Sequence, residues 1–420
     1  MRIAGIIAEY NPFHNGHLYH MEETRRLCQA DAVIAVMSGD FVQRGAPALL
    51  PKRLRAQAAL EAGADAILEL PAIFACASAE FFAEGGVALL NALGCVDSLC
   101  FGSECGDLQL LQETARILSR EPESYRQQLK QFLKEGLTFP AARQRALSVC
   151  SGSPETGRLL ESPNNILGVE YLKALDRLSS SIRPVTISRR ESGYHQTDLS
   201  GPCSSATAVR NLVFQEKKKD GTLSVSEKNL PRLEETLPAG SFRIITDFLS
   251  RYLPLETADF SLLLKYRLLL SSQKDLARFA DVSPELAVRI WRHREEFVSW
   301  DQFCQLLKTK ELTYSRISRA LLHILLDIPR GHISVSKRPL CIPYARLLGF
   351  RRESAGVLKQ IQEHSSIPLV GRFADTALLS PEAQKLLEKD RLASDLYQTV
   401  LAEKNHTAFQ SDFRQKLVIV

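Results

Sequence analysis

Residues 3–17 read IAGIIAEYNPFHNGH, and they predict how the chain begins to fold. The stretch opens as a short apolar run, which is typical of a buried strand, and continues into a turn at Asn11-Pro12. Leu18, Met21 and Leu27 then follow at helical spacing. We therefore predict a strand, a turn and a helix, with His14-Asn15-Gly16-His17 at the start of that helix.

The first half of the chain continues this alternation of strands and helices. The segments that follow are Ala32–Met37, Lys52–Ala62, Ala66–Leu70, Ala79–Leu93, Asp97–Phe101 and Arg183–Ser188. Short apolar strands that alternate with helices indicate βαβ units. We predict an α/β fold with a doubly wound parallel sheet, whose ligand binds at the carboxyl ends of the strands.

The pattern changes after residue 214. Residues 215–240 are rich in Lys, Glu, Gly and Pro, which favours a linker. Mostly helical segments follow. We therefore predict a domain at 1–214, a linker at 215–240 and a mainly helical domain with a small C-terminal tail at 241–420.

Composition excludes several classes of protein. The 420 residues are 45% hydrophobic and 24% charged, which is enough apolar material for a core and argues against wholesale disorder. No apolar run is long enough to cross a bilayer, and the first residues lack the pattern of a signal peptide. The nine cysteines form no CxxC pair. We expect a cytoplasmic protein with reduced cysteines and no membrane contact.

The histidine tetrapeptide has the residue types that phosphoryl chemistry needs. A helix N-terminus presents unpaired N–H groups that attract phosphate, and Gly16 allows close approach. His14 and His17 can donate hydrogen bonds to phosphoryl oxygens, so we name them as catalytic candidates. On this tetrapeptide alone, two solvent-facing histidines at a helix start remain the alternative interpretation.

A second element fits the same chemistry. Ser205 and Thr207 begin another predicted helix, and their hydroxyl groups and backbone amides can bind phosphate oxygens. Arg210, one turn later, can point back at those oxygens and is the third catalytic candidate. An ordinary helix cap followed by a surface arginine is the alternative.

Longer motifs identify a resemblance. Residues 5–17 together with 37–45 (MSGDFVQRG), 101–104 (FGSE) and 162–168 (SPNNILG) resemble the bacterial tRNA(Met) cytidine acetate ligases, within the HIGH-type nucleotidyltransferase superfamily. The resemblance implies a Rossmann-like catalytic domain. It also implies an enzyme that makes acetyladenylate from acetate and ATP, and then acetylates N4 of the wobble cytidine of elongator tRNA(Met).

The resemblance also implies a set of site residues. The expected ATP-binding residues are Ile7, Ala8, Glu9, Tyr10, Asn11, Pro12, Phe13, His14, Asn15, Gly16, His17, His20, Gly102, Asn164, Asn165, Arg189, Arg190, Ser205 and Thr207. Asp40 and Arg44 are expected to bind acetate. Mg²⁺ is expected with the nucleotide, and Glu9 is a candidate to hold it, but no metal ligand set is assigned. Other interpretations stay open, namely a turn glycine for Gly102, an Asx turn for the asparagines and an exposed His20.

The second half carries an excess of positive charge. Residues 302–359 contain eleven Lys or Arg and three acids, a difference of +8, against +5 for the whole chain. A solvated basic surface would explain this, but the family resemblance favours contacts with tRNA phosphates. The candidates are Lys308, Lys310, Arg316, Arg319, Lys337, Arg338, Arg351 and Arg352.

Two other functions remain as hypotheses. A small-molecule adenylyl- or cytidylyltransferase would explain the first half of the chain, but it would leave the basic second half without a role. A tRNA-binding protein with a vestigial nucleotide site conflicts with the intact His14, Gly16 and His17. A class I aminoacyl-tRNA synthetase is disfavoured, because the chain contains no Lys-Met-Ser-Lys-Ser sequence. No obligate protein partner is inferred.

Overall fold

The computed structural model describes residues 1–189, 205–214, 229–333 and 340–420. Arg190, Lys337 and Arg338, three of the predicted site residues, lie outside these ranges. Within the described residues the strands are β1 (Ile3–Ala8), β2 (Ala32–Ser38), β3 (Phe41–Val42), β4 (Ala46–Pro47), β5 (Ala66–Leu70), β6 (Ser98–Ser103), β7 (Arg183–Ser188), β8 (Ala345–Phe350), β9 (Leu369–Val370) and β10 (Val418–Ile419).

Nineteen α-helices are present in the described part of the chain. They are α1 (Asn15–Cys28), α2 (Lys52–Glu61), α3 (Ala72–Ala75), α4 (Ala79–Ala92), α5 (Leu108–Arg120), α6 (Glu123–Lys134), α7 (Phe139–Ser151), α8 (Pro154–Arg158), α9 (Pro163–Arg177), α10 (Ala206–Phe214), α11 (Leu230–Thr236), α12 (Ala239–Leu249), α13 (Ser261–Leu269), α14 (Gln273–Leu276), α15 (Pro284–His293), α16 (Trp300–Leu307), α17 (Tyr314–Leu325), α18 (Ala355–His364) and α19 (Pro381–Lys404). Across the described residues, no helix is both long and apolar enough to cross a membrane.

The predicted parallel sheet is confirmed. Strands β5, β2, β1, β6 and β7 are neighbours in that order, and every pair among them is parallel. All residues of β2 and β5 are buried. Burial on both faces explains why these strands read as continuous apolar runs rather than alternating ones.

The C-terminal strands extend the same sheet. Strand β8 pairs antiparallel with β5, and β10 and β9 pair parallel with β8. The division of the chain into domains at residues 214 and 241 stays a prediction. That division assigned β8, β9 and β10 to the mainly helical domain, whereas they extend the sheet of the first half. The run Ala345–Phe350 is short and contains Arg346, so it gave no strand signal. The predicted linker also contains α11.

A buried network of charges attaches these strands to the first half. Lys52 Nζ lies 2.7 Å from Glu69 and 3.0 Å from Asp412, and Arg346 lies 3.2 Å from Glu69 and also contacts Asp412. All four side chains are at most 4% exposed. Because an unpaired buried charge is costly, removing one member would leave its partner uncompensated.

The helical region packs against the hairpin formed by β3 and β4. Ser318 Oγ on α17 donates to the carbonyl oxygen of Gly45 at 2.8 Å and accepts from Trp300 Nε1 at 2.9 Å. Gly45 has φ of 72°, and a Cβ there would lie 2.5 Å from the carbonyl carbon of Ser318. Only glycine therefore allows α17 to pack this closely on the hairpin.

We predict that Gly45→Ala lowers the free energy of unfolding much more than a matched glycine substitution does. Gly152 has nearly the same φ, 69°, and no described atom within 4 Å of an added Cβ. Gly152→Ala should cost about 1 kcal/mol from backbone strain alone, whereas Gly45→Ala should cost at least about 3 kcal/mol because of the added clash. Urea unfolding measures both, and equal losses would contradict the packing described here.

Candidate nucleotide-binding site

A cavity of about 390 Å³ opens at the carboxyl ends of β1, β6 and β7. Its size is that of a small-molecule site, and its location is the one expected for ligands of doubly wound sheets. The lining residues are Ile7, Ala8, Glu9, His14, Gly16, His17, Tyr19, His20, Gln43, Arg44, Ala79, Phe82, Phe101, Gly102, Pro163, Asn164, Ile166, Leu167, Tyr171, Ile187, Ser188 and Arg189.

The first turn of α1 places the two catalytic candidates together. His14 caps the helix, and its Nδ1 accepts from the backbone N–H of Gly16 at 3.0 Å. His17 Nδ1 accepts from the backbone N–H of His14 at 3.3 Å. The two rings stack with centroids 3.8 Å apart. A Cβ on Gly16 would lie 2.9 Å from the His14 ring, so this glycine is needed for the histidine as well as for a ligand.

Burial determines the charge of both rings, and these hydrogen bonds determine which ring nitrogen carries the proton. Burial, with Arg189 and Arg210 nearby, lowers the pKa of His14 to about 3. Burial, with His14 and Arg189 nearby, places the pKa of His17 well below its usual value. Both rings are therefore neutral at pH 7. Since each Nδ1 accepts a hydrogen bond, each proton is assigned to Nε2, which can donate to a phosphate oxygen.

The turn between β1 and α1 supports the histidines from behind. Tyr10 and Phe13 are buried, with ring centroids 5.0 and 5.5 Å from the His17 ring. Asn11 Oδ1 accepts from the backbone N–H of Leu49 at 2.8 Å. Tyr10, Asn11, Pro12, Phe13 and Asn15 do not line the cavity, although they are expected ATP-binding residues. The four that precede α1 are buried and fix the turn that carries His14 and His17.

The ends of β6 and β7 form one side of the cavity. Gly102 and Arg189 line it, and a Cβ on Gly102 would lie 3.3 Å from Cγ of Arg189. Asn164 also lines it and donates from Nδ2 to Glu104 at 2.7 Å. Asn165 is buried outside the cavity wall, where its Oδ1 accepts from the backbone of Glu104 at 2.9 Å. Its expected contact with ATP is thus replaced by a contact between α9 and the loop after β6.

His20 faces the same cavity one turn along α1. Burial, followed by the charge of Arg189, lowers the pKa of His20 to about 4. Its Nε2 is buried and has no hydrogen-bond partner among the described residues. His20 is therefore not an exposed histidine on the helix surface.

Helix α10 brings Arg210 to the same turn. Arg210 Nη1 donates to the carbonyl oxygen of Asn11 at 2.7 Å, and Nη2 donates to Thr207 Oγ1 at 3.0 Å. Ser205 Oγ accepts from the backbone N–H of Ala208 at 3.2 Å, as a helix cap. Ser205, Thr207 and Arg210 do not line the described cavity. They lie behind the turn that carries the histidines.

Strand β2 leads to the opposite side of the cavity. Of the two residues expected to bind acetate, one lines the cavity and the other does not. Arg44 lines the cavity on the hairpin of β3 and β4. Asp40 does not, because it is buried and its two oxygens accept from the Lys52 backbone at 2.7 Å and from Ser394 Oγ at 2.6 Å. Burial raises the pKa of Asp40. The expected acetate contact of Asp40 is therefore corrected, and it instead joins β2 to α2 and α19.

Several residues that shape the site could not be predicted from the sequence. Arg55 on α2 is fully buried, and it donates to the carbonyl oxygens of Glu9 at 2.6 Å, Ser38 at 3.1 Å and Leu50 at 3.1 Å. Arginine is ordinarily a surface residue, so an arginine within a predicted helix did not indicate a buried role. Gln43 lies within the MSGDFVQRG motif, but its position in the cavity wall could not be predicted.

Comparison with known proteins agrees with a nucleotide-binding site in this cavity. A family model described as HIGH Nucleotidyl Transferase matches residues 1–412. The tRNA(Met) cytidine acetate ligase of Alkaliphilus metalliredigens is 39% identical over 417 residues, which cover 97% of this chain and 95% of that protein. The protein of the same name from Acetivibrio thermocellus is 39% identical over 426 residues, all of both chains.

The chain belongs to the tRNA(Met) cytidine acetate ligase family. A solved structure agrees with this result. TmcAL from Thermotoga maritima, crystallised with alpha-thio ATP, is 32% identical and superposes with a TM-score of 0.88 over all of both chains. The apo form of the same protein gives a TM-score of 0.90. The predicted family and fold class are confirmed.

The cations expected to contact tRNA in this member of the ligase family lie in two places. Lys308, Lys310 and Arg316 are exposed on or beside α16 and α17. Arg319 is paired with Asp281 at 2.9 Å and is only 15% exposed. Arg351 and Arg352 follow β8, and the backbone N–H of Arg351 donates to Asp65 just before β5.

Arg351 and Arg352 lie away from the cavity. Because β8 is antiparallel to β5, residues after β8 are at the amino edge of the parallel strands. The cavity lies at their carboxyl edge. Arg351 and Arg352 are therefore on the opposite side of the sheet from His14 and His17, which corrects the prediction that grouped them with Lys308.

We predict that His14 makes the ligase less stable as the pH falls. Its pKa is about 3 when folded and about 6.5 when unfolded, so the unfolded chain binds the additional proton below pH 6.5. Between pH 6.5 and 5 this lowers the free energy of unfolding by about 2 kcal/mol. His14→Asn keeps a side chain that can cap α1 and removes the titrating group. Urea unfolding at both pH values should therefore show a smaller loss for the variant, and an equal loss would refute the buried neutral state.

Proposed function

We propose that this chain is an ATP-dependent acetate ligase that acetylates N4 of the wobble cytidine of elongator tRNA(Met). The observation that carries this proposal is the stacked, neutral pair of His14 and His17, at the start of α1 and in the wall of the cavity. Membership in the ligase family supplies the acceptor and the acyl donor. For a reaction on tRNA we expect a cytoplasmic location.

In the first step, an acetate oxygen attacks the α-phosphorus of ATP and pyrophosphate leaves. Negative charge grows on the phosphoryl oxygens as that bond breaks. The Nε2–H groups of His14 and His17, at the positive N-terminal end of α1, are fixed donors for this charge. Arg189 adds positive charge to the same cavity. One such donor contributes roughly 10²- to 10³-fold to a rate.

Mg²⁺ fits this site as an ion brought by the nucleotide. Among the described cavity-lining residues, Glu9 supplies the one carboxylate. No group of three potential metal ligands is present in the described part of the chain. Mg²⁺ in nucleotide sites is commonly held by one or two carboxylates together with substrate phosphates, and when bound it would neutralise phosphate charge. Glu9 is the residue that would hold it.

In the second step, the exocyclic amine of cytidine attacks the carbonyl carbon of acetyladenylate. The bond between that carbon and the AMP oxygen breaks, AMP leaves with the electron pair, and N4 loses a proton. The mixed anhydride is already activated, so no covalent enzyme intermediate is needed. The protein has to hold both reactants in contact and exclude water.

A basic groove beside α17 is our proposed contact surface for tRNA. This cavity of about 540 Å³ is lined by three arginines and two acids, which are Arg289, Arg292, Arg316, Glu285 and Glu311. Arg289 and Arg292 precede the basic stretch of residues 302–359, so the charge of that stretch does not include them. Exposed Lys308 and Lys310 lie between α16 and α17. Cations clustered in this way bind phosphates and release counterions.

We predict that His17→Ala reduces acetate-dependent exchange between pyrophosphate and ATP by at least about 100-fold. The variant loses a donor to the phosphoryl oxygens but no part of the basic groove, so tRNA binding should be unchanged. His364→Ala, at an exposed position on α18, is the control and should keep full exchange.

The product test for the wild-type protein uses labelled acetate, ATP and tRNA, followed by mass spectrometry of the nucleosides. Labelled N4-acetylcytidine is the expected product. Pyrophosphate release without this nucleoside would instead indicate a small-molecule adenylyltransferase. Normal turnover by His17→Ala would remove this histidine from the mechanism.

We predict that Lys310→Glu combined with Arg316→Glu weakens tRNA binding by about tenfold or more and reduces its dependence on salt. ATP binding should be unchanged, because neither residue lines the nucleotide cavity. The double variant Arg351→Glu and Arg352→Glu makes the same charge change at the opposite sheet edge and is the control. Filter binding over a salt series measures both, and equal losses would show that the effect is one of net charge only.

A further inference from the structure

The cavity has two sides, and the ATP-binding candidates account for one of them. In the sheet, β6 and β7 lie on one side of β1, and β2 lies on the other. Gly102 and Arg189 come from the β6–β7 side, whereas Gln43 and Arg44 come from the hairpin that follows β2. His14 and His17 lie between these sides, after β1. If the nucleotide takes the β6–β7 side, the acyl donor must approach from the hairpin side.

Gln43 has an unsatisfied donor in this cavity. Its side chain lines the cavity, and its Nε2 is buried with no hydrogen-bond partner among the described residues. A buried polar group without a partner costs about 1–3 kcal/mol, so such a group calls for a ligand or an ordered water. Asn11 and Asn165, the amides nearby, both have backbone partners instead.

The position of Gln43 is fixed by its surroundings. Its backbone N–H donates to Glu9 Oε1 at 2.8 Å, which ties it to the end of β1. Phe41 and Val42 pair with Pro47 and Ala46, and the Gly45 N–H donates to the Val42 carbonyl at 2.9 Å. Helix α17 packs behind Gly45. These contacts hold the backbone that carries the donor, so the hairpin needs little reorganisation when a ligand binds.

We propose that the side-chain amide of Gln43 binds the carboxylate of acetate, and that it donates to the oxygen that becomes the acetyl carbonyl. This inference rests on the proposed ligase function and specifies its acyl-donor subsite. The chemistry of the wall fits a small carboxylate, because Arg44 adds a positive charge on the same hairpin. Ile7 and Ala8 add apolar surface at the end of β1 for a methyl group.

The same contact serves both steps of the reaction. In the first step one acetate oxygen bonds to the α-phosphorus, the bond to pyrophosphate breaks, and the other oxygen stays on Gln43. In the second step the amine attacks the carbonyl carbon, and negative charge collects on that second oxygen. The Gln43 N–H stabilises this charge until the bond to AMP breaks, AMP leaves with the electron pair, and the proton of N4 is released.

The test compares Gln43→Ala and Gln43→Glu with the wild-type protein. Acetate-dependent exchange between pyrophosphate and ATP is measured over a range of acetate concentrations, and ATP affinity is measured by calorimetry. We expect KM for acetate to rise about 10- to 100-fold in Gln43→Ala, as for a lost hydrogen bond to a charged group. Gln43→Glu should raise it further by repulsion. Gln112→Ala, an exposed glutamine on α5, should leave it unchanged.

ATP affinity separates binding of acetate from a loss of folding, and it should stay within about twofold of wild type in Gln43→Ala, which adds no charge to the cavity. An unchanged KM for acetate in Gln43→Ala, or an equal loss of ATP affinity, overturns the assignment of Gln43. Absence of acetate-dependent exchange in the wild-type protein overturns the proposed function itself. A third measurement supplies purified acetyladenylate and tRNA, where slower acetyl transfer by Gln43→Ala supports the role in the second step and an unchanged rate overturns it.

Discussion

The geometry of the site depends on one buried cation. Arg55 lies on α2, and its guanidinium donates to carbonyl oxygens of Glu9, Ser38 and Leu50, which belong to three separate segments of the chain. A buried charge is costly unless dipoles replace its water, so these three carbonyls and Arg55 stabilise one another. Glu9 follows β1 and Ser38 ends β2. The same contact therefore fixes where the histidine turn and the hairpin of Gln43 leave the sheet.

Electrostatics inside the cavity follow from this packing. Burial is the main reason why the pKa of His14 is low, and the positive charges of Arg189, which lines the cavity, and of Arg210, behind the histidine turn, lower it further. Neutral rings can stack at 3.8 Å without repulsion and still donate from Nε2. In the proposed mechanism the two histidines are oriented donors, and Arg189 carries the positive charge in the cavity wall.

The sequence predicts the centre of this molecule better than its periphery. Strands β1, β2, β5 and β6 could be predicted because strands buried on both faces are mostly apolar runs. The placement of His14 and His17 followed from their position after the first strand. Strand β8 could not be predicted, because the pairing of Arg346 with Glu69 and Asp412 brings together residues far apart in the chain. The buried position of Asp40 could not be predicted for the same reason, since its partner Ser394 is 354 residues away.

Long-range contacts also explain how a helical region can belong to the same site as the sheet. Ser318 on α17 contacts Gly45, and His323 Nε2 lies 3.0 Å from the carbonyl oxygen of Cys76, next to α3. The buried charges around Lys52 hold the C-terminal strands to the same sheet. Movement of α17 away from the hairpin would therefore expose buried polar groups on both sides. Helix α17 therefore joins the groove that contains Arg316 to the hairpin that carries Gln43.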